Sequence, residues 1–133
     1  MENKLNSNNV NPYSSYLNQS SGNYQDITPI FGGNIKYGVQ PFVDKSIVSN
    51  VQKLQIAYPS LYVTDSLRNQ QTNKAVGVVD NSGHLSGKVL DFRYPNSEME
   101  KLIRNTDSWK SFGIGNIITH GEGSNKHYHV EFL

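Results

Sequence analysis

The chain has 133 residues, a net charge of +1 and only 17% charged residues. This length predicts one domain around a single core, and the near-neutral charge argues against proteins that bind nucleic acid or anionic membranes through bulk charge. No stretch approaches the roughly 18 apolar residues of a transmembrane helix, and the N-terminus lacks the basic and then apolar pattern of a secretion signal. Cysteine is absent, so a metal site would have to be built from histidine and carboxylate side chains.

The composition changes near residue 27. Residues 1–25 are mostly Asn, Ser, Gln and Tyr, with too few aliphatic side chains to bury a core. We therefore divide the chain into an Asn/Ser-rich arm over residues 1–26 and a globular domain over residues 27–133. The arm is either a flexible tail or a segment that orders against a partner, in which case Tyr13, Tyr16 and Tyr24 would supply the contact area.

From residue 27 onward, apolar residues follow the periods of helices and strands. A helix capped by Asp44 or Ser46 is predicted to run to about Tyr58, with one apolar stripe made of Ile47, Val48, Val51, Leu54 and Ile56. A capping-box pattern that starts at Ser97 predicts a second short helix, to about Asn105. Strands are predicted over residues 61–64, 88–94, 112–119 and 126–133, with a long polar loop over 69–82. Short helices with several antiparallel strands predict an α+β domain.

Two histidines on the last predicted strand indicate metal chemistry. Strand alternation places His127, His129 and Glu131 on one face, while the apolar residues between them face the core. In the strand over 88–94, alternation places Leu90 and Phe92 on one face and Val89, Asp91 and Arg93 on the other. Two histidines and an aspartate on two strands supply mixed nitrogen and oxygen ligands, which zinc favours and which cobalt or nickel would also fit.

Three segments, together with the final His-x-His, resemble the zinc D-Ala-D-Ala peptidase family. The segments are YVTDSLR, NKAVG and SGHLSGKVLDF, over residues 62–68, 73–77 and 82–92. The family shares its fold with the hedgehog signalling domain and includes many phage endolysins. It carries a pattern of Ser-x-His, two residues, Gly, three residues and Asp, which Ser82, His84, Gly87 and Asp91 match without a gap. The resemblance covers residues 36–133.

This resemblance implies a zinc site and a set of substrate contacts. His84, Asp91 and His129 would be the zinc ligands, while Arg68 and Ser82 would hold the substrate. Zinc would lower the pKa of its bound water, so that the water can attack the peptide carbonyl.

Two residues are candidates for the general base. Carboxypeptidase members of the family carry a carboxylate three residues before the last zinc ligand, where this chain has Lys126. His127 matches the endopeptidase branch, which uses the first His of the His-x-His pair. We take His127 as the base and Glu122 as the alternative. We expect His120 to lie in the loop between the last two strands, from which it could also reach the site.

Three functional hypotheses follow. The first is a zinc-dependent peptidase that cleaves peptidoglycan stem peptides next to a D-amino acid. It would be phage-encoded and located in the virion or in the host cytoplasm before lysis, with the arm bound to a structural protein of the phage. The second is a structural or cargo protein of a phage particle that uses a peptidase-like fold for binding, with weak or no catalysis. The third, a bacterial carboxypeptidase, is disfavoured by Lys126 and by the lack of an export signal.

Overall fold

Two antiparallel sheets and three short α-helices occupy the part of the chain that the computed structural model describes, residues 23–67 and 86–133. The smaller sheet pairs β1 (Tyr24–Asp26) with β2 (Phe42–Asp44). The larger sheet contains β3 (Val63–Asp65), β4 (Val89–Arg93), β5 (Ile114–His120) and β6 (His127–Phe132), in the spatial order β3-β4-β6-β5. The helices are α1 (Thr28–Phe31), α2 (Val48–Ala57) and α3 (Ser97–Arg104). This is the predicted α+β class.

The central strand β6 alternates between core and outer face. Three of its residues are buried: Tyr128, Val130 and Phe132. The residues that alternate with them are half-buried: His127, His129 and Glu131. This confirms the predicted alternation, which follows from the two-residue period of a strand. The outer face of the sheet therefore carries the histidines.

The neighbouring strand β4 is buried on both faces. Leu90 and Phe92, which were predicted to share a face, belong to the core. Val89 and Asp91 on the other face are also buried, with 2% and 4% of their surface exposed. Only Arg93 is exposed. The outer face is therefore shielded from solvent at the middle of β4, and the buried group there is the Asp91 carboxylate.

The helix α2 covers the core with most of the predicted stripe. A 3₁₀ helix (Lys45–Ile47) leads into it, and Ile47, Val51 and Leu54 are fully buried. Ile56 was also predicted to face the core but is 69% exposed. It follows Leu54 by two residues, which places it about 200° around the helix from that core contact.

The start of this helical segment depends on Asp44. Its Oδ1 accepts hydrogen bonds from the Ser46 backbone N–H and hydroxyl, at 2.8 and 2.6 Å. Burial alone would raise the pKa of the Asp44 carboxyl, but these hydrogen bonds and the charge of Lys88 together lower it. The stabilisation by Asp44 is therefore present at neutral pH and is lost as the pH falls through the lowered pKa.

We expect Asp44→Ala to reduce the free energy of unfolding by about 1 kcal/mol, because the 3₁₀ helix loses its N-cap. Urea denaturation at pH 7 measures the change. Asp107→Ala is the control, since Asp107 is exposed in the first turn of a helix that has no side-chain cap. An equal loss in both variants would show that the cap contributes nothing.

The cap of α3 differs from the sequence prediction by one residue. Asn96, not Ser97, is the N-cap, and its side-chain oxygen accepts a hydrogen bond from the Met99 N–H at 3.0 Å. Met99 and Leu102 are buried beneath the helix. A 3₁₀ helix (Thr106–Phe112) follows, so the next strand begins two residues later than predicted.

The hydroxyl of Tyr128 fixes the N-terminal end of α3 to the sheet. It donates a hydrogen bond to Glu100 Oε2 at 2.6 Å and accepts one from the Asn96 backbone N–H at 3.0 Å. Burial, reinforced by the hydrogen bond to the Glu100 carboxylate, raises the pKa of Tyr128 to about 12. The core face of β6 is thereby joined to the first turn of α3.

The strand β1 places the last three residues of the predicted arm in a sheet, paired with β2. The Tyr24 ring packs on Gly87, where a Cβ atom would lie 2.9 Å from both the ring and the Asp44 backbone nitrogen. Gly87 also has a φ of +79°, a backbone conformation that favours glycine at this position. Tyr13 and Tyr16 lie outside the described residues, as does the predicted loop over 69–82.

Within residues 23–67 and 86–133, no helix combines the length and the apolar character needed to cross a membrane.

Candidate active site

The centre of the outer face is a contact between Asp91 and His129. The two residues are directly opposite in the register of β4 and β6. His129 Nδ1 lies 3.1 Å from Asp91 Oδ1, and its Nε2 lies 3.1 Å from Glu131 Oε2. The strand register therefore places the histidine ring between two carboxylates.

This arrangement favours the charged form of His129 when no metal is bound. A ring nitrogen must carry a proton to donate to a carboxylate, so two carboxylate partners favour the doubly protonated imidazolium. The hydrogen bond to Asp91 is the largest influence and raises the pKa of His129, while burial opposes it and Glu131 adds to it. A metal ion would have to displace one of these protons.

The Asp91–His129 pair has the donor chemistry and spacing of two zinc ligands. Zinc bonds of about 2.0–2.2 Å at tetrahedral angles place neighbouring donor atoms about 3.3–3.6 Å apart, slightly farther than the observed 3.1 Å. Among the described residues, no three His, Cys, Asp or Glu side chains form a group that could hold a metal ion. A complete site needs another ligand, and His84, predicted for that place, lies outside the described residues.

His127 is oriented by a backbone carbonyl. Its Nδ1 lies 2.7 Å from the Asn125 carbonyl oxygen, which can only accept, so Nδ1 carries the proton. The other ring nitrogen, Nε2, lies 3.5 Å from Asp91 Oδ2. In the neutral tautomer, His127 therefore directs an unprotonated Nε2 toward the Asp91–His129 pair.

The turn between β5 and β6 supports this carbonyl. A short 3₁₀ helix (Gly123–Asn125) precedes β6, and Gly121 approaches the Asn125 carbonyl so closely that a Cβ atom at Gly121 would collide with it. Gly121 also has a φ of +86°, which disfavours other residues. The glycine is thus required for the turn that orients His127.

The remaining predicted residues take different places. Glu122 is exposed in the same turn, and no described contact joins it to the histidines. His120 was expected in a loop but ends β5, where its ring lies 5.5 Å from that of His127. Lys126 packs over Tyr94, with Nζ 4.5 Å from the ring centroid. Arg68 and Ser82 lie outside the described residues.

Glu131 is the site residue that sequence reasoning placed on the right face without assigning a role. Its side chain is 47% exposed, and its carboxylate contacts Nε2 of His129, the ring nitrogen that does not face Asp91. The strand pattern could have indicated this contact, because Glu131 follows His129 by two residues and residues two apart on a strand share a face.

A model of the peptidase M15 family matches residues 31–131, which is 101 of the 133 residues. The matched range includes Asp91, His127 and His129. No curated protein and no solved structure gives a significant match.

Proposed function

Because the chain belongs to the peptidase M15 family, we propose that it is a zinc-dependent peptidase that cleaves peptidoglycan stem peptides next to a D-amino acid. The observation that carries the proposal is the convergence of Asp91, His127 and His129 at one point of the outer face. Asp91 and His129 have the donor chemistry of metal ligands and are in direct contact, and His127 directs Nε2 toward Asp91.

The proposal extends to the origin and location of the protein. We infer a phage-encoded protein, present in the virion or in the host cytoplasm before lysis, with residues 1–26 contacting a structural protein of the phage. The support is the composition of that segment and the resemblance to a family that includes phage endolysins.

Each residue has a distinct task in this reaction. Asp91 and His129 would hold zinc from β4 and β6, with His84 as the third ligand. Bound zinc supplies a Lewis acid that activates water for attack on the scissile carbonyl. His127 accepts the proton of the attacking water at Nε2 and later gives it to the leaving amine. The Asn125 carbonyl keeps the ring in the tautomer that this transfer needs.

Digestion of purified peptidoglycan tests the proposal. Zinc-loaded protein, chelator-treated protein and His129→Ala are compared, and the released muropeptides are identified by mass. New peptide ends that require zinc and His129 would identify the bond that is cut. No products from folded, zinc-bound protein across several wall chemistries would overturn the proposal in favour of a non-catalytic role in a phage particle.

The contact between Glu131 and His129 predicts an effect on zinc affinity. With Nδ1 on the metal, Nε2–H would donate to Glu131, and such outer carboxylates orient the ring and strengthen it as a ligand. We expect Glu131→Ala to weaken zinc binding by about 10- to 100-fold, measured by competition with a chromophoric chelator. Glu122→Ala is the control, since Glu122 is exposed in the adjacent turn. Equal zinc affinities for Glu131→Ala and Glu122→Ala would show that Glu131 has no specific role in zinc binding.

A further inference from the structure

Arg93 is the exposed cation nearest the Asp91–His129 pair along β4. It lies two positions after Asp91, on the same face, and is opposite His127 in the strand register. Two strand positions correspond to about 7 Å. The backbone of Arg93 therefore lies about two peptide residues along β4 from Asp91, and its side chain extends from there over Tyr62.

The aromatic ring of Tyr62 holds this guanidinium. The central carbon of Arg93 lies 3.7 Å above the Tyr62 ring centroid, and the Arg93 backbone N–H donates to the Tyr62 carbonyl at 2.9 Å. Since Val63 is fully buried in the core, alternation places Tyr62 on the outer face with Arg93. Stacking occupies a flat side of the guanidinium and leaves the N–H groups at its edge directed sideways.

No carboxylate pairs with Arg93 in the described part of the chain, where every ion pair involves a histidine. Asp91 is engaged by the histidines, and Glu131 contacts His129 at the other end of the site. An exposed arginine whose orientation is fixed without a carboxylate partner is prepared to receive one, because its edge matches the two oxygens of a carboxylate.

We infer that Arg93, positioned by Tyr62, binds a carboxylate of the substrate on a residue next to the scissile bond. The inference rests on the proposed function and deepens it by naming a specificity determinant. The carboxylate has two sources: the C-terminus of the peptide, or a free carboxylate branching from an internal residue. Arg93 would add to the contact that Arg68 is expected to make.

Two pairs of synthetic stem peptides distinguish these sources. In the first pair the C-terminal D-alanine is a free acid or an amide. In the second, both C-termini are amides and the internal γ-linked D-glutamate carries a free α-carboxylate or its amide. Wild-type protein is expected to prefer the acid in one pair by about 10- to 100-fold in kcat/KM, the range of a charge-assisted hydrogen bond.

Variants then assign the preference to Arg93. Arg93→Met should lower kcat/KM for the acid to that for the amide and leave the amide unchanged, while Arg93→Lys should restore only part of the preference. Tyr62→Leu should give an intermediate ratio, because the guanidinium loses its support. Arg104→Met is the control, since Arg104 is an exposed arginine on α3. A purely structural role would change both substrates equally.

The outcomes separate the two proposals. If wild-type protein cleaves none of the four peptides, the proposed function fails. If it cleaves acid and amide equally in both pairs, or if Arg93→Met keeps the acid preference, the assignment of Arg93 is wrong while the peptidase proposal stands.

Discussion

Replacing His127 with alanine is expected to lower kcat/KM for peptide cleavage by about 10²- to 10⁴-fold, the usual contribution of a general base. Zinc affinity should change little, because the predicted ligands are His84, Asp91 and His129. The expectation rests on the hydrogen bond from Nδ1 to the Asn125 carbonyl, which makes Nε2, directed toward Asp91, the nitrogen that accepts a proton when the ring is neutral. Steady-state cleavage and zinc competition on the same preparations measure both quantities.

Two matched variants make this result decisive. His120→Ala removes the neighbouring histidine, whose ring is 5.5 Å from that of His127, and should retain most of the activity. Glu122→Gln tests the alternative base. A large loss in Glu122→Gln beside a small loss in His127→Ala would transfer the role to Glu122. Loss of zinc in His127→Ala would make His127 a ligand instead.

Tyr128→Phe is expected to reduce the free energy of unfolding by about 1–3 kcal/mol at pH 7, because the Asn96 N–H and the Glu100 carboxylate lose a buried partner. Denaturation in urea provides the measurement. Tyr37→Phe is the control, since Tyr37 is fully exposed. Similar losses in the two variants would show that the hydroxyl of Tyr128 contributes nothing.

The same residue predicts a stability change at alkaline pH. Tyr128 holds its proton more tightly in the folded chain, with a pKa of about 12 against an ordinary value of 10.0. Its stabilisation is therefore complete below pH 10 and is lost as the pH rises toward 12. The difference in stability between wild type and Tyr128→Phe should narrow over that interval. A constant difference would contradict the raised pKa.

Sequence patterns predicted the elements that have a regular apolar period. The buried side of α2 and the alternation of β6 follow directly from spacing, so His129 and Glu131 could be placed on the outer face. The identification of His84, Asp91 and His129 as a ligand set came from resemblance, and the structure describes the contact only between the last two.

Other features depended on contacts that spacing does not encode. β1 has three residues, too few for an alternation to be recognised, and its pairing with β2 joins segments far apart in the chain. Asn96 and Ser97 are adjacent residues that can both cap a helix, and the hydroxyl of Tyr128 on β6 holds Asn96 in place. The group that orients His127 is the backbone carbonyl of Asn125. Every residue has such a carbonyl, so the sequence does not indicate this contact.

The packing of Tyr24 on Gly87 joins the first strand to the predicted zinc motif. Gly87 lies within the motif that supplies His84 and Asp91, and the segment that covers it comes from β1. A chain shortened to residue 27 would keep every predicted catalytic residue yet uncover the motif glycine and leave β2 without its neighbour. The first strand therefore belongs to the folded domain, and a partner that displaced it would disturb the chain within four residues of Asp91, a predicted metal ligand.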